Sequence, residues 1–329
     1  MIMLNKEQTV KVMDLSVIIP VYNEAESLPE LIDWIVRVCS AENISSEIIC
    51  IDDGSSDHSW ETIEDLAKKY KKVKGLRFRR NYGKAAALHT GFMESSGEVV
   101  ITMDSDLQDS PDEIPELYRM IRDEDYDMVS GWKKKRHDPF IKRCTSKLYN
   151  RTARRSSGIK LHDFNCGLKA YNAEVIKSIE VYGEMHRYIP ILAKEAGFMN
   201  IGEKIVKHYP RKYGSSKYGI DRFVKGYLDL LTISFISRFG KRPMHLFGLL
   251  GSIMFFIGMI MAAYLGIRKL IYVHNNLRAP LITDSPYFYI ALTVMIIGSI
   301  LFLTGFLGEL INRNSSERNR YLIKEKINI

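Results

Sequence analysis

The sequence predicts an α/β fold with a mostly parallel sheet, followed by an interfacial amphipathic helix and a two-helix transmembrane hairpin. Three observations predict it. Short Val- and Ile-rich runs alternate with helical patterns from Leu15 to about Ser130, the pattern of parallel strands joined by crossover helices. Several of those runs end abruptly in polar clusters. Near the C-terminus, Met244–Ile267 and Tyr287–Gly308 contain no Asp, Glu, Lys or Arg, and each is long enough to cross about 30 Å of hydrocarbon as a helix.

Each element has its own signal. LSVII, Leu15–Ile19, reads as a strand that stops at Pro20, because proline lacks the N–H a ladder needs. Leu28, Leu31, Ile32, Ile35, Val36 and Cys39 then fall at helical spacing. SEIICIDDGSSD is a second strand ending in Asp52, Asp53 and Gly54. DHSWETIEDLAKKY reads as a helix with Asp57 near its start as a cap. VKGLRF is a third strand, GKAAALHTGFM an Ala-rich helix, and GEVVITMDSD a fourth strand. Ile220–Phe239 carries an apolar stripe from Ile220 through Phe223, Leu231 and Phe235; placed before a membrane span, it is expected to lie in the interface.

The chain has 329 residues, 46% hydrophobic and 26% charged, with a net charge of +8. That balance favours anionic partners. Much of it comes from Trp132–Lys160, where many Lys and Arg residues face only Asp138. The stretch lacks the interleaved stacking aromatics of a nucleic-acid groove, so no nucleic-acid partner is expected. Cys39, Cys50, Cys144 and Cys166 form no C-x-x-C pair, which argues for free thiols in a reducing compartment rather than a zinc site or a disulfide frame. The N-terminal stretch has no apolar core of signal-peptide length, so the first part of the chain is expected to stay in the cytoplasm.

The strand ends carry the chemistry. In open parallel sheets, ligands bind at the carboxyl ends of strands. Here those ends hold Pro20-Val21-Tyr22-Asn23-Glu24, then Asp52-Asp53-Gly54-Ser55-Ser56-Asp57, then Asp104-Ser105-Asp106. Neither G-x-G-x-x-G nor a P-loop is present. Clustered carboxylates repel, and burying them is unfavourable unless positive charge sits among them. The chain must supply that charge, or a metal must. An Asp-x-Asp pair can hold Mg²⁺ or Mn²⁺, which in turn binds a diphosphate. Asp57 and Asp109 are read as capping and solubilising residues.

LSVIIPVYNEAESL, ICIDDGSSD, RRNYGKAAALHTGF and MDSDLQDSP together resemble the family 2 glycosyltransferases of GT-A fold. The match is to the polyprenyl-phosphate sugar transferases, the dolichyl-phosphate mannose synthase and bactoprenol glucosyl transferase kind. It covers about Leu15–Lys217, and the two spans extend it. The resemblance implies a nucleotide-sugar site on Pro20, Tyr22, Asn23, Glu24, Lys84, Asp104 and Ser105, with Asp52 or Asp53 at the base and ribose. It implies a divalent metal, Mg²⁺ or Mn²⁺, on Asp104, Asp106 and Gln108. Arg211-Lys212-Tyr213-Gly214-Ser215-Ser216-Lys217 resembles the family's diphosphate-closing loop. Acceptor phosphate then falls to Lys133, Arg143, Arg211, Ser216 and Lys217, and catalysis to Asp104, Asp106, Arg211 and Lys217. Asp163–Lys169 resembles the segment lining the sugar pocket, with Leu168 where Phe is commoner. His162 beside it is read as structural, because a phosphate nucleophile is already anionic and needs no base.

The reaction implied is inverting, metal-dependent transfer of a sugar from a UDP- or GDP-sugar to undecaprenyl phosphate. The expected organisation is a GT-A domain over 1–218, interfacial helices over 219–243, and two spans with a cytoplasmic tail over 244–329. Lys and Arg outweigh the connector's Arg268, Lys269 and Arg278 on the flanks, which places both ends in the cytoplasm of an inner-membrane protein. A homo-oligomer is expected. Two other readings stand beside this one: a membrane transferase acting on another glycan or a protein, and a non-catalytic scaffold that binds nucleotide-sugar. A processive polysaccharide synthase is disfavoured, since none of Trp34, Trp60 and Trp132 lies in a Q-x-x-R-W motif.

Overall fold

The computed structural model describes residues 13–134, 150–155, 157–183, 185–213, 243–278, 281–314 and 323–328. The expected interfacial helix over Ile220–Phe239, and Arg143, Ser216 and Lys217, lie outside them. The chain divides into two units: Met1–Ile233 with Arg318–Ile329, and Ser234–Glu317.

The first unit is built on an eight-stranded sheet in the order β7-β5-β6-β4-β1-β2-β3-β8. Its centre is parallel: β1 (Met13–Val21) lies between β2 (Ser46–Asp52) and β4 (Gly97–Thr102), and β2 pairs with β3 (Val73–Phe78). The crossovers are α1 (Leu28–Ala41), α2 (Ser59–Lys69) and α3 (Lys84–Glu94). Beyond β4, β6 (Lys169–Asn172) runs antiparallel to both β4 and β5 (Met128–Trp132), and β7 (Ile201–Ile205) is parallel to β5. Val17, Ile18 and Ile19 of β1 and Ile48, Ile49 and Ile51 of β2 are all fully buried, as expected of parallel strands covered on both faces. The stripe Leu28, Leu31, Ile32, Ile35 and Cys39 is the buried face of α1.

Pro20 does not end the first strand. β1 continues through it to Val21, paired with Asp52 of β2. The reason is which side the missing N–H faces. Val21 accepts from Asp53 on the β2 side, whereas Ile18 accepts from Met103 on the β4 side. By alternation, Pro20 faces β4, where pairing has already ended at Ile18–Thr102.

After the second apolar run, the chain contributes an edge strand to this same sheet. β8 (Ile323–Ile327) pairs antiparallel with β3. Lys326 pairs with Glu94 at 2.8 Å, and Asn328 donates to the Val73 carbonyl at 3.1 Å. This differs from the sequence expectation of a cytoplasmic tail, because a free edge of β3 gives the segment a strand to pair with.

The second unit is a hairpin of two helices, α4 (Pro243–His274) and α5 (Pro286–Asn314). Both are long and apolar enough to cross a membrane, with mean hydropathy 2.3 and 2.4 in the most apolar 18-residue windows of Met244–His274 and Pro286–Gly308. Only 17% of each most apolar window is buried, so apolar residues such as Leu249, Ile260, Leu303 and Ile311 face outward. The helices meet where side chains are absent. A Cβ on Gly251 would lie 2.5 Å from the Gly298 carbonyl oxygen, and one on Gly298 would lie 2.7 Å from the Gly251 oxygen. Such close backbone approach is the usual packing of helices in lipid.

Candidate active site

Because β1 lies between β2 and β4, the three acidic strand ends predicted from sequence meet on one edge. The loops after β1 and β2 are laced together. Asn23, in the left-handed region at φ 55°, donates its N–H to the Ser55 hydroxyl at 2.9 Å and accepts from the Ser56 N–H at 2.8 Å. The Glu24 N–H donates to the Ser59 hydroxyl at 2.9 Å. Asp57 accepts from the N–H groups of Ser59 at 3.0 Å and Ala25 at 3.3 Å, which bears out its capping role. Tyr22 projects outward, 41% exposed.

Asp52 and Asp53 do different jobs. Asp52 is fully buried, lies 3.2 Å from the Arg77 guanidinium and accepts the Ser55 N–H at 2.9 Å. Asp53 accepts the N–H groups of Tyr82 at 2.7 Å and Gly83 at 2.9 Å. Its carboxylate therefore clamps the loop leading into α3 against the end of β2. Burial pushes its pKa up to about 6, the two N–H bonds oppose that, and neighbouring Asp52 adds to it.

The carboxylates after β4 each have a cation of the chain's own. Lys84, the first residue of α3, is hydrogen-bonded to Asp104. Arg211 bridges Asp106 at 3.3 Å and Glu24 at 2.8 Å. Lys133, at the end of β5, lies 2.6 Å from Asp109. Burial alone would raise the pKa of Asp104, but the charges of Lys84, Lys133 and Lys169 outweigh it and hold the carboxyl well below the usual range. Asp106 and Asp109 are shifted upward, first by burial and then by Asp104. The three carboxylates thus form one interacting cluster.

Asp109 departs from its sequence reading. It is 1% exposed and ion-paired, so it is neither a solubilising nor a capping residue. A third acid in such a cluster needs a cation, and Lys133 directly follows β5 of the same sheet. Lys133, expected at the acceptor phosphate, has a side chain 11% exposed and paired with Asp109. Ser105 is buried at 6% exposure beside this cluster. Gln108 donates its backbone N–H to Asp106 at 3.2 Å.

The segment Asp163–Lys169 forms the next wall. Gly167 lets the segment come close to the carboxylate: a Cβ there would fall 2.3 Å from Asp104 Oδ2, so Asp104 would have to shift. The Thr102 hydroxyl donates to the Gly167 carbonyl at 2.9 Å, which fixes the segment to the end of β4. Lys169, paired across from Thr102, is buried and bonds the Cys166 carbonyl; burial pushes its pKa down to about 8. Neither Gly167 nor Lys169 was singled out by sequence reasoning, although both lie in a motif it quoted. His162 stacks on Trp132, ring centroids 4.1 Å apart, and Glu203 holds its Nδ1 at 2.7 Å. That accounts for it structurally, as expected. Cys39, Cys50 and Cys166 are buried free thiols.

Among the described residues, no three His, Cys, Asp or Glu side chains converge as a ready-made metal cage. Mg²⁺ and Mn²⁺ do not require one, since they commonly take one or two carboxylates together with substrate phosphates and waters. The hard oxygens of Asp104, Asp106 and Gln108 are the donor type such ions prefer. The residues fit a divalent ion.

The sequence profile of glycosyl transferase family 2 matches residues 16–180. The dodecaprenyl-phosphate galacturonate synthase of Rhizobium johnstonii is 35% identical over 311 residues, covering 92% of this chain and 89% of its own. The undecaprenyl-phosphate 4-deoxy-4-formamido-L-arabinose transferase of Proteus mirabilis is 33% identical over 323 residues, covering 97% and 95%. Among solved structures, the glucosyl-3-phosphoglycerate synthase of Mycobacterium tuberculosis, crystallised with Mn²⁺ and UDP-glucose, superposes with a TM-score of 0.54 at 18% identity. That likeness covers 69% of this chain and 79% of the other, and shows the GT-A fold alone. With strand-end carboxylates on a GT-A sheet and relatives of this similarity along nearly its whole length, the chain belongs to glycosyl transferase family 2.

Proposed function

We propose that this protein transfers a sugar from a nucleotide-sugar to the phosphate of undecaprenyl phosphate or a similar polyprenyl phosphate, at the cytoplasmic face of the inner membrane. The carrying observation is the extent of the likeness. Relatives named for polyprenyl-phosphate sugar transfer match 92–97% of the chain, a span that includes the apolar hairpin. The hairpin supports a lipid acceptor by its length and composition. The return of β8 to the sheet that precedes the hairpin supports an even number of crossings, hence both ends on one side. The excess of Lys and Arg on the flanks makes that side the cytoplasm.

Pro20, Tyr22, Asn23 and Glu24 line the nucleotide end, with Asp52 and Asp53 holding the adjoining loops in shape. Asp104, Asp106 and Gln108 would hold Mg²⁺ or Mn²⁺. When bound, such an ion neutralises charge on the departing nucleoside diphosphate. Arg211, tethered to Glu24 and Asp106, adds fixed positive charge at the same place. Arg143, Ser216 and Lys217 complete the acceptor side. A lipid phosphate is anionic at pH 7 and attacks the anomeric carbon without a general base. One displacement inverts that carbon, so an α-linked donor yields a β-linked lipid.

The test is purified protein in detergent with undecaprenyl phosphate, UDP- and GDP-sugars, Mn²⁺ or Mg²⁺, and a chelator control. One sugar appearing on the lipid, only with metal and with inverted configuration, is the expected result. Metal-dependent release of nucleoside diphosphate with no lipid product would move the acceptor to another glycan or a protein. Nucleotide-sugar binding with no turnover would favour the scaffold reading.

A further inference from the structure

Lys84 stands in an unfavourable place. It is the first residue of α3, and no acidic residue occupies that helix's first turn. A helix N-terminus carries partial positive charge, so a cation there is disfavoured. Burial adds to the penalty of holding the ammonium charged. Asp104 offsets both, and the two side chains are paired. Yet the oxygens of Asp104 are also those a divalent ion would need. Two cations on one carboxylate repel at close range, so the ammonium and the metal compete.

The pairs differ in how readily they can part. Lys133 and Asp109 are closed in, with side chains 11% and 0% exposed, whereas those of Lys84 and Asp104 are both 33% exposed. Water and an incoming anion can reach the Lys84 pair. A displaced ammonium at this position has one obvious new partner, the diphosphate of a bound donor, which brings its own negative charge to the same corner.

We propose that Lys84 is the resident counter-ion of Asp104: it neutralises that carboxylate while no donor is bound, yields it to the divalent ion on donor entry, and turns to the donor's diphosphate. This deepens the nucleotide-sugar reading above and rests on it. Lys84 thus couples metal to nucleotide. By linkage, each ligand tightens the other by the same factor. Removing the ammonium strengthens metal binding in the absence of nucleotide and shrinks that factor.

The experiment is titration of the full-length protein in detergent with Mn²⁺, reading free Mn²⁺ by electron paramagnetic resonance, with and without UDP. Wild type, Lys84→Gln and Lys84→Arg are compared. Lys84→Gln is expected to bind Mn²⁺ alone on the order of tenfold tighter than wild type, with a smaller enhancement by UDP. Lys84→Arg, which keeps the charge, is expected to follow wild type. Equal Mn²⁺ affinity of Lys84→Gln and wild type without UDP overturns the proposal, as does equal enhancement by UDP. Thermal unfolding checks that the variants fold. Should Lys84→Gln not fold, wild type alone still decides against the idea if UDP leaves its Mn²⁺ affinity unchanged. Lipid glycosylation by wild type without the coupling refutes the counter-ion role and leaves the function standing. The coupling without any lipid product does the reverse.

Discussion

At the scale of single residues, the site is a balance of charges. Asp106→Ala should abolish the proposed transfer, with a loss of at least about 100-fold, because it removes both the oxygen proposed to hold the metal and the tether of Arg211; lipid-linked product measured by mass spectrometry checks it. Asp109→Ala strands the buried Lys133 ammonium and should destabilise the fold by about 3–5 kcal/mol. Combining it with Lys133→Met should recover most of that in denaturant titrations. Asp53 makes the site sensitive to pH. Its folded pKa, about 6, lies above the usual carboxyl value of about 3.9. The folded state therefore holds that proton more tightly, and the contribution of Asp53 to stability declines as pH rises from about 4 to about 6. The clamp on Tyr82 and Gly83 works in the opposite sense, since only the ionised form accepts both N–H groups. UDP affinity should fall on acidification through about pH 6, and Asp53→Asn should flatten that limb; calorimetry across pH measures both.

At the scale of elements, two devices hold the pieces together. Glu47, fully buried at the start of β2, accepts from the hydroxyl of Ser16 on β1 at 2.5 Å and from the Ser96 N–H at 2.7 Å, and pairs with Lys74 of β3 at 2.7 Å. Burial alone would raise its pKa, but these partners outweigh it and hold the carboxyl low. Its contribution is present above the unfolded carboxyl pKa and is lost as pH falls below it. Glu47→Ala leaves Lys74 and three donors, the Ser16 and Ser96 hydroxyls and the Ser96 N–H, stranded and should cost about 3–5 kcal/mol of stability. Gly298→Leu pushes α5 off α4 where the backbones touch. It should weaken the hairpin by about 1–3 kcal/mol, while UDP affinity of the first unit is unchanged; unfolding in mixed detergent set against nucleotide binding separates the two. Strand and helix existence was legible from periodicity. The path through Pro20 was not, because which neighbour a proline faces depends on where the adjacent ladder ends.

At the scale of the whole molecule, the chain leaves its first unit for the apolar hairpin and returns to it. β8 covers the edge of β3 that would otherwise present unpaired N–H and C=O groups. Deleting residues 323–329 should lower the melting temperature and promote self-association through that edge, with nucleotide binding retained. Size-exclusion chromatography and thermal unfolding check this. The return strand had no clear sequence signal, since Ile323-Lys324-Glu325-Lys326-Ile327 is short and charged; such a segment becomes a strand only because β3 offers it a template.

The sequence by itself determined the alternating α/β plan, the two apolar helices and the acidic strand ends, because periodicity, hydropathy and local charge are written in neighbouring residues. It also marked Asp104, Asp106, Glu24 and Arg211 as one site through a motif resemblance. Only the tertiary structure decided how the charges pair. Lys84 with Asp104, Arg211 with Asp106 and Lys133 with Asp109 join residues 20, 105 and 24 positions apart. No local pattern encodes such pairs, because their partners are chosen by the strand order that brings β4, α3 and β5 to one edge of the sheet.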